Sequence, residues 1–320
     1  MRILALSAIG AAVMNAVAFG ADVQTRTVTF QNQGTSLVGT LYLPADYRPG
    51  EKRPGVLVTG AWTSVKEQMS GLYAREMAER GFAALAFDFR GWGQSGGSIH
   101  YKEDPAEKTA DIVAAAALMA TLPEVDPEKI AGLGICASAG YMAAAATGNA
   151  NFASLALVAP WLHNKEIVEQ VYGGAEGVAN LIATSRAAEK AEREGRPRII
   201  IAANMTDRTA LMYRIPYYTE ASRGLIPQYD NRFNLASWEP WLTYDSVAIG
   251  KDLDKPVLVV HSEAAAVPQG AHAFFALLHG DASELWLDDV TQFDFYDNPE
   301  DVTRAADAAA AHFVRINSGS

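Results

Sequence analysis

Short runs of apolar residues alternate along the chain with segments in which apolar positions recur every three or four residues. The short runs are typical of buried strands and occupy residues 54–60, 82–89, 129–135, 153–160 and 255–262. Helical periodicity extends over residues 64–81 and over 108–122, where Pro123 ends it. This order predicts an α/β fold with a mainly parallel, doubly wound sheet covered by helices on both faces. In such a sheet the chemistry takes place beyond the carboxyl ends of the strands.

One interval interrupts this alternation. About 90 residues separate the strand that ends near Pro160 from the one that begins near Lys255, which is too long for a simple crossover. The interval contains helical segments and many aromatic residues, and it predicts a cap insertion at about 161–250, between late strands and over the strand ends. Trp161, Tyr217 and Trp238 are the candidates for contact with substrate. The alternative is that these aromatic residues form the core of the cap itself.

The N-terminal residues predict export. Met1 and Arg2 precede an apolar stretch, and Ala18 and Gly20 suit signal-peptidase cleavage before Ala21. The expectation is therefore a signal peptide over residues 1–20, a single domain over 21–320, and a periplasmic or secreted location. A membrane anchor or a buried helix is the alternative, although the stretch is short and a strand-like segment follows it.

Composition and charge narrow the class of partner. The 320 residues are 49% hydrophobic and 20% charged, which allows a large core. The net charge of −11 argues against nucleic acid and anionic membrane surfaces, and a small-molecule substrate remains the expected partner. No oligomeric state is specified by these features. With a single cysteine, Cys136, the chain forms no internal disulfide.

Cys136 lies in the sequence GLGICASAG, where a strand, a sharp turn and an alanine-rich helix follow one another. Small residues at Gly134 and Ser138 flank the cysteine, as a strained nucleophile elbow requires. Ser138 also has small neighbours at this spacing and is a rival nucleophile. A strand that starts at Ile130 reaches the turn at Cys136, whereas Ser138 would lie within the helix, and this favours Cys136.

Together with two other motifs, this elbow resembles the α/β-hydrolase superfamily, and within it the dienelactone-hydrolase-like branch with a cysteine nucleophile. FDFRGWGQSGG at 87–97 resembles a D-x-R-G-x-G-x-S segment of the superfamily, and GAWTSVKEQM at 60–69 resembles the oxyanion loop of that branch. The resemblance implies an α/β-hydrolase fold, with Cys136 as nucleophile. It also implies an oxyanion hole formed by the backbone N–H of Ala137 and that of Ala61 or Trp62.

The chain departs from that family at two catalytic positions. The histidine loop, in which related chains read S-H-x-D-x-Y, has Gln292 in place of the histidine. Glutamine forms hydrogen bonds but accepts no proton at useful pH. The acid position falls near Ala265, and Glu263 is the only carboxylate close to it. A complete Cys-His-Asp triad is therefore not expected.

Several groups could activate the thiol instead. A helix N-terminus after Cys136 is expected to lower its pKa. His163 follows a core strand and could act as a base, or could only fix the loop that opens the cap. Glu67 resembles the glutamate that takes the thiol proton in dienelactone hydrolases, with a surface contact as the alternative. Glu263 could orient another group or cap the following helix.

Three functions are consistent with these residues. The first is a secreted cysteine-type hydrolase that cleaves an ester, thioester or lactone with an apolar or aromatic acyl group. The second is a non-hydrolytic enzyme on the same scaffold, such as a lyase, an isomerase or an acyl-transfer catalyst, because the histidine that would activate water is missing. The third is an inactive ligand-binding homologue. The sequence shows no ligand spacing typical of a metal site, and its glycine-rich segments indicate no phosphate or cofactor binding.

Overall fold

A computed structural model describes residues 22–319. The predicted signal peptide over 1–20 lies outside the described residues. The strands are β1 (Gln24–Asn32), β2 (Thr35–Leu43), β3 (Arg53–Thr59), β4 (Ala83–Phe87), β5 (Val125–Ile135), β6 (Ser154–Val158), β7 (Ile199–Ile201), β8 (Ala203–Asn204), β9 (Met212–Tyr213), β10 (Arg232–Asn234), β11 (Val257–His261) and β12 (Ala282–Trp286).

The helices alternate with these strands. They are α1 (Met69–Glu79), α2 (Pro105–Met119), α3 (Ala137–Ala146), α4 (Lys165–Val171), α5 (Gly174–Arg193), α6 (Pro216–Thr219), α7 (Trp238–Leu242), α8 (Pro268–Phe275), α9 (Asp294–Asp297) and α10 (Pro299–Ser318). Two long helices begin where the sequence provides a cap. Asp104 accepts from the N–H groups of Ala106 and Glu107 at the start of α2, and Asn298 caps α10.

Eight strands form one sheet in the order β1-β2-β4-β3-β5-β6-β11-β12. Strands β1 and β2 pair antiparallel with each other and β2 pairs antiparallel with β4, while the remaining neighbours are parallel. Every residue of β4, β6 and β11 is buried, as their continuous apolar sequences predict. Helix α1 packs against α10, and α2 packs against α3, so that helices flank the sheet. The predicted α/β-hydrolase fold with a mainly parallel sheet is confirmed.

Residues 159–256, called the insertion below, connect β6 to β11. They contain helices α4 to α7 and two small pairs of strands, in which β7 pairs with β10 and β8 pairs with β9. The long helix α5 packs against α4 and α7. Among residues 22–319, no helix combines the length and apolar character needed to cross a membrane.

Candidate active site

Cys136 stands at a strained turn between β5 and α3. Its φ of 58° lies in the left-handed region, which a residue with a Cβ adopts only where its surroundings impose it. The turn is so tight that residue 134 has no space for a side chain: a Cβ on Gly134 would lie 2.8 Å from Cα of Ala139. Ser138 is fully buried, and its hydroxyl donates to the carbonyl of Ile135 at 3.0 Å. Of the two rival nucleophiles, the strained turn therefore presents Cys136, and Ser138 holds the turn together.

Two backbone N–H groups act on the thiol. Those of Ala137 and Trp62 lower the pKa of Cys136 through hydrogen bonding. The N–H of Ala61 instead faces Sδ of Met69 at 3.5 Å. Trp62 rather than Ala61 is therefore the candidate for the second donor beside Ala137. Such a pair can hold the oxygen of a tetrahedral intermediate formed on the sulfur.

A buried ion pair fixes the loop that carries Trp62. Thr63 has a φ of 61°, and its N–H donates to Oε2 of Glu103 at 3.4 Å. Glu103 is fully buried and pairs with Nζ of Lys108 at 2.8 Å, and it also accepts from the hydroxyl of Tyr141 at 3.0 Å. Glu103 therefore fixes the backbone next to a candidate oxyanion donor.

The indole of Trp62 reaches into the insertion. Its ring centroid lies 4.8 Å from that of Trp241, 5.1 Å from that of Phe233 and 5.8 Å from that of Trp238. One residue thus contributes its backbone to the thiol and its side chain to the aromatic packing of the insertion.

Burial raises the pKa of the Cys136 thiol, and this effect outweighs the hydrogen bonds that lower it. The expectation that the following helix leaves the thiol with a lowered pKa is wrong, because desolvation of the thiolate dominates. The largest opposing contribution is a hydrogen bond from the hydroxyl of Tyr296, followed by those from the N–H groups of Ala137 and Trp62. The thiol is thus mostly protonated at neutral pH.

Gln292, which the sequence analysis placed at the expected histidine position, holds Tyr296. Its Nε2 donates to the hydroxyl oxygen of Tyr296 at 3.0 Å and to the carbonyl of Ala159 at 2.9 Å, while its Oε1 accepts from the N–H of Ala266 at 3.0 Å. Because the tyrosine oxygen accepts from Gln292, its own proton is directed to Cys136. A chain of hydrogen bonds thus runs from Gln292 through Tyr296 to the thiol.

The position expected for the catalytic acid carries no carboxylate. Ala265 is buried there, and the neighbouring N–H of Ala266 serves Gln292. Glu263 is exposed and its Oε1 lies 2.7 Å from Nε2 of His272, which is also exposed. The structure therefore does not bring Glu263 to the thiol.

His163 has other partners as well. It is almost fully buried, its Nδ1 accepts from the indole N–H of Trp161 at 3.1 Å, and its Nε2 lies 3.1 Å from the carbonyl of Trp241. Burial lowers its pKa to about 4. With both ring nitrogens engaged, His163 fixes the start of the insertion, and the geometry does not support a role as base for Cys136.

Glu67 also has a partner other than Cys136. Its carboxylate lies 2.6 Å from Nζ of Lys66, which in turn pairs with the buried Asp88 at 2.8 Å. This arrangement corresponds to the structural alternative for Glu67 and leaves the thiol without a carboxylate partner from this loop.

Cys136 lines a cavity of about 720 Å³ whose walls come mainly from the insertion. Trp161 and Trp238, the candidates for contact with substrate, line it. Tyr217 does not: it packs against Tyr218 and Tyr296 with ring centroids 4.9 and 5.1 Å away, and its neighbour Tyr218 faces the cavity instead. In the short helix α6, the cavity wall is thus formed by Tyr218 rather than by the predicted Tyr217.

Two residues that the sequence analysis did not single out belong to this site. Tyr296 corresponds to the tyrosine of the S-H-x-D-x-Y pattern, so the motif itself carried the signal. Glu103 lies far from the recognised motifs, and no pattern in the sequence indicated it. Within residues 22–319, no cluster of three or more histidine, cysteine or acidic side chains could hold a metal ion.

Comparison with known proteins adds to this geometry. A family model described as the alpha/beta hydrolase family matches residues 56–306. The solved structure of hypothetical protein PA2218 from Pseudomonas aeruginosa is similar, with a TM-score of 0.82 and 27% identity over 92% of this chain and 94% of that one. Ferulic-acid-bound Est1E from Butyrivibrio proteoclasticus has a TM-score of 0.61 at 17% identity, over 90% of this chain and 99% of that one, and shows the fold alone.

Curated relatives match over shorter segments. Uncharacterized protein PA2218 is 46% identical over 117 residues, which are 36% of this chain and 31% of that protein. Polyketide transferase claH from Penicillium crustosum is 31% identical over 128 residues, which are 39% of this chain and 41% of that protein. In these sequence matches the chain spans less than half the length of either relative.

Proposed function

Because the chain belongs to the alpha/beta hydrolase family, we propose that it is a cysteine-type enzyme that accepts an acyl group from an ester, thioester or lactone. The observation that carries this proposal is the convergence of three donors on Sγ of Cys136: the N–H groups of Ala137 and Trp62 and the hydroxyl of Tyr296. An inert buried cysteine needs no such set of donors, whereas a thiolate or an oxyanion formed beside it is stabilised by them.

The proposed reaction begins with loss of the thiol proton to solvent. The thiolate of Cys136 attacks the acyl carbonyl, and the carbonyl oxygen takes up the electron pair between the N–H groups of Ala137 and Trp62. Collapse of this intermediate breaks the bond to the leaving group, which departs with the electron pair and is protonated by water. An acyl thioester on Cys136 remains. The apolar lining of the cavity suits an apolar or aromatic acyl group.

Two fates of this thioester define two candidate functions. Hydrolysis is the first, and it agrees with the family. Acyl transfer to an acceptor other than water is the second, and one observation favours it: among residues 22–319 no histidine lines the cavity, so no imidazole is placed to activate a water molecule. The relative claH is a transferase by name.

An acylation experiment tests the proposal. Wild-type protein and Cys136→Ala are incubated with p-nitrophenyl butyrate, and the release of p-nitrophenol and the intact protein mass are recorded over a range of pH. We expect a butyryl adduct on the wild type alone, with a burst that accelerates as pH rises because the thiol is mostly protonated at neutral pH. An adduct that turns over steadily indicates the hydrolase, and one that persists until N-acetylcysteamine is added indicates the transferase.

A different outcome of the acylation experiment would contradict the proposal. Absence of an adduct at every pH, with a thiol that resists iodoacetamide until the protein is unfolded, contradicts the proposal and favours the ligand-binding homologue. A reconstructed triad provides a further control. Gln292→His combined with Ala265→Asp places an imidazole and a carboxylate at the family positions, and we expect it to accelerate loss of the butyryl group.

Export is part of the same proposal. Its support is the apolar stretch between Arg2 and Ala18 and the small residues before Ala21. The mass of the protein recovered from the producing cell tests it. A chain in the periplasm or medium that begins at Ala21 agrees with the proposal, and a full-length chain in the cytoplasm contradicts it.

A further inference from the structure

The cavity next to Cys136 contains no charged side chain among the described residues that line it. Its walls are aliphatic and aromatic, with a few hydroxyl groups such as that of Thr184. An ionised group placed inside would lose its hydration without gaining a charge partner, which is costly. A charged part of a ligand must therefore stay at the mouth.

The mouth is marked by Thr209, which lines the cavity and is exposed. Thr209 belongs to the segment between β8 and β9. The next residues along this wall are Ala210 to Tyr213, all of which line the cavity. Tyr213 is only partly buried and thus lies near the border between cavity and solvent.

Two arginines lie over the ring of Tyr213. The guanidinium carbon of Arg208 is 5.3 Å from the ring centroid and that of Arg214 is 5.1 Å away. Arg214 also donates from Nε to the carbonyl of Met205 at 3.4 Å. These contacts keep both cations beside the cavity wall, since a guanidinium group is attracted to the face of an aromatic ring.

Neither guanidinium has a carboxylate within salt-bridge distance in the described part of the chain. Asp207, the acidic neighbour in sequence, accepts instead from the N–H and the hydroxyl of Thr209 at 2.8 and 2.6 Å. Some other arginines of the insertion are paired, for example Arg186 with Glu239 at 2.6 Å. The chain has a net charge of −11, yet two cations without a carboxylate partner lie together over Tyr213 at the cavity mouth.

We propose that the substrate is an anionic amphiphile, whose apolar part enters the cavity while a carboxylate or phosphate group stays at the mouth beside Arg208 and Arg214. This inference rests on the proposed function, in which the cavity receives the acyl donor. Guanidinium groups suit both anions because their N–H groups match the geometry of carboxylate and phosphate oxygens. Water keeps access to the anion there, so that it is not desolvated as it would be inside.

Equilibrium binding tests this directly. Octanoate, octyl phosphate and 1-octanol, each below its aggregation limit, are titrated into the full-length wild type, and the fluorescence of the cavity tryptophans Trp62, Trp161 and Trp238 is recorded. We expect at least one anion to bind about five- to tenfold more tightly than octanol at low salt, as two exposed ion pairs would give. The preference should shrink at high salt, where such pairs are screened. Octanoate and octyl phosphate distinguish the two head groups.

The test variant combines Arg208→Gln with Arg214→Gln, and its matched control is Arg232→Gln. Arg232 is an exposed arginine of the insertion on β10 that also lacks an acidic partner in the described chain, but it does not lie over a ring of the cavity wall. The double variant should lose the preference for the anion, and Arg232→Gln should keep it. Octanol binding as tightly as both anions, or a preference that survives the double substitution, would overturn the proposal.

This titration does not depend on the reactivity of Cys136. A protein that binds octyl phosphate through the two arginines but forms no acyl adduct would contradict the proposed function alone. A protein that forms the adduct but binds octanol and the anions equally would contradict the present inference alone.

Discussion

Replacing Tyr296 by phenylalanine tests the assignment of the hydrogen bonds around the thiol. The Tyr296 hydroxyl donates to Sγ of Cys136 and is the largest single contribution that lowers the pKa of this thiol. A hydrogen bond to a charged group contributes about 1.5–3 kcal/mol. At 1.36 kcal/mol per pKa unit, its loss should raise the pKa of Cys136 by about 1 to 2 units. Gln292 keeps the carbonyl of Ala159 as a partner, so the loop should remain in place.

The assay is the rate of alkylation by iodoacetamide as a function of pH, with thiolate absorbance as a second measure. Below the pKa of the thiol, the rate should fall about tenfold for each unit by which that pKa rises, since only the thiolate reacts. Tyr218→Phe is the matched control, because Tyr218 is buried and lines the same cavity but donates no hydrogen bond to Sγ in the described chain. An unchanged profile in Tyr296→Phe, or an equal shift in Tyr218→Phe, would refute the reasoning.

Three further predictions concern stability and the turn. Burial holds His163 neutral in the folded state, with a pKa of about 4. Its contribution to the free energy of unfolding is therefore complete above the unfolded pKa of about 6.5 and is lost as pH falls toward 4. In His163→Gln, urea unfolding should show a loss of free energy of unfolding over this pH range that is smaller by about 3 kcal/mol. Glu103→Gln leaves Lys108 buried without a counter-charge and should lower the free energy of unfolding by about 3–5 kcal/mol, with recovery in the double variant that also carries Lys108→Met. Gly134→Ala places a methyl 2.8 Å from Cα of Ala139 and should destabilise the protein by about 1–3 kcal/mol in the same assay while slowing acylation of Cys136.

The sequence predicted those parts of the protein that depend on local pattern. The strands that precede and follow Cys136 are buried on both faces, so they appear as unbroken apolar runs, and the tight turn between β5 and α3 requires small residues at fixed spacing. Gln292 was located by its place in a motif, and the structure gives that residue a clear task in holding Tyr296.

The remainder depends on contacts between distant segments. The choice between Ala61 and Trp62 follows from the direction of single N–H bonds, and the choice between Tyr217 and Tyr218 follows from the rotation of a helix of four residues. Neither leaves a periodic signal in the sequence. His163 lies on the predicted side of the sheet, but its partners come from Trp161 and from Trp241, which is far along the chain.

The position of Trp62 links the environment of the Cys136 thiol to the packing of the insertion. Its N–H lowers the pKa of the Cys136 thiol, while its indole packs among Phe233, Trp238 and Trp241 of the insertion. Any displacement of the insertion that parts these rings also acts on the residue that supplies the N–H. In the proposed function, occupancy of the cavity and stabilisation of an oxyanion by the N–H of Trp62 are then thermodynamically coupled. By reciprocity, a bound tetrahedral intermediate stabilises the packing of Trp62 against the insertion.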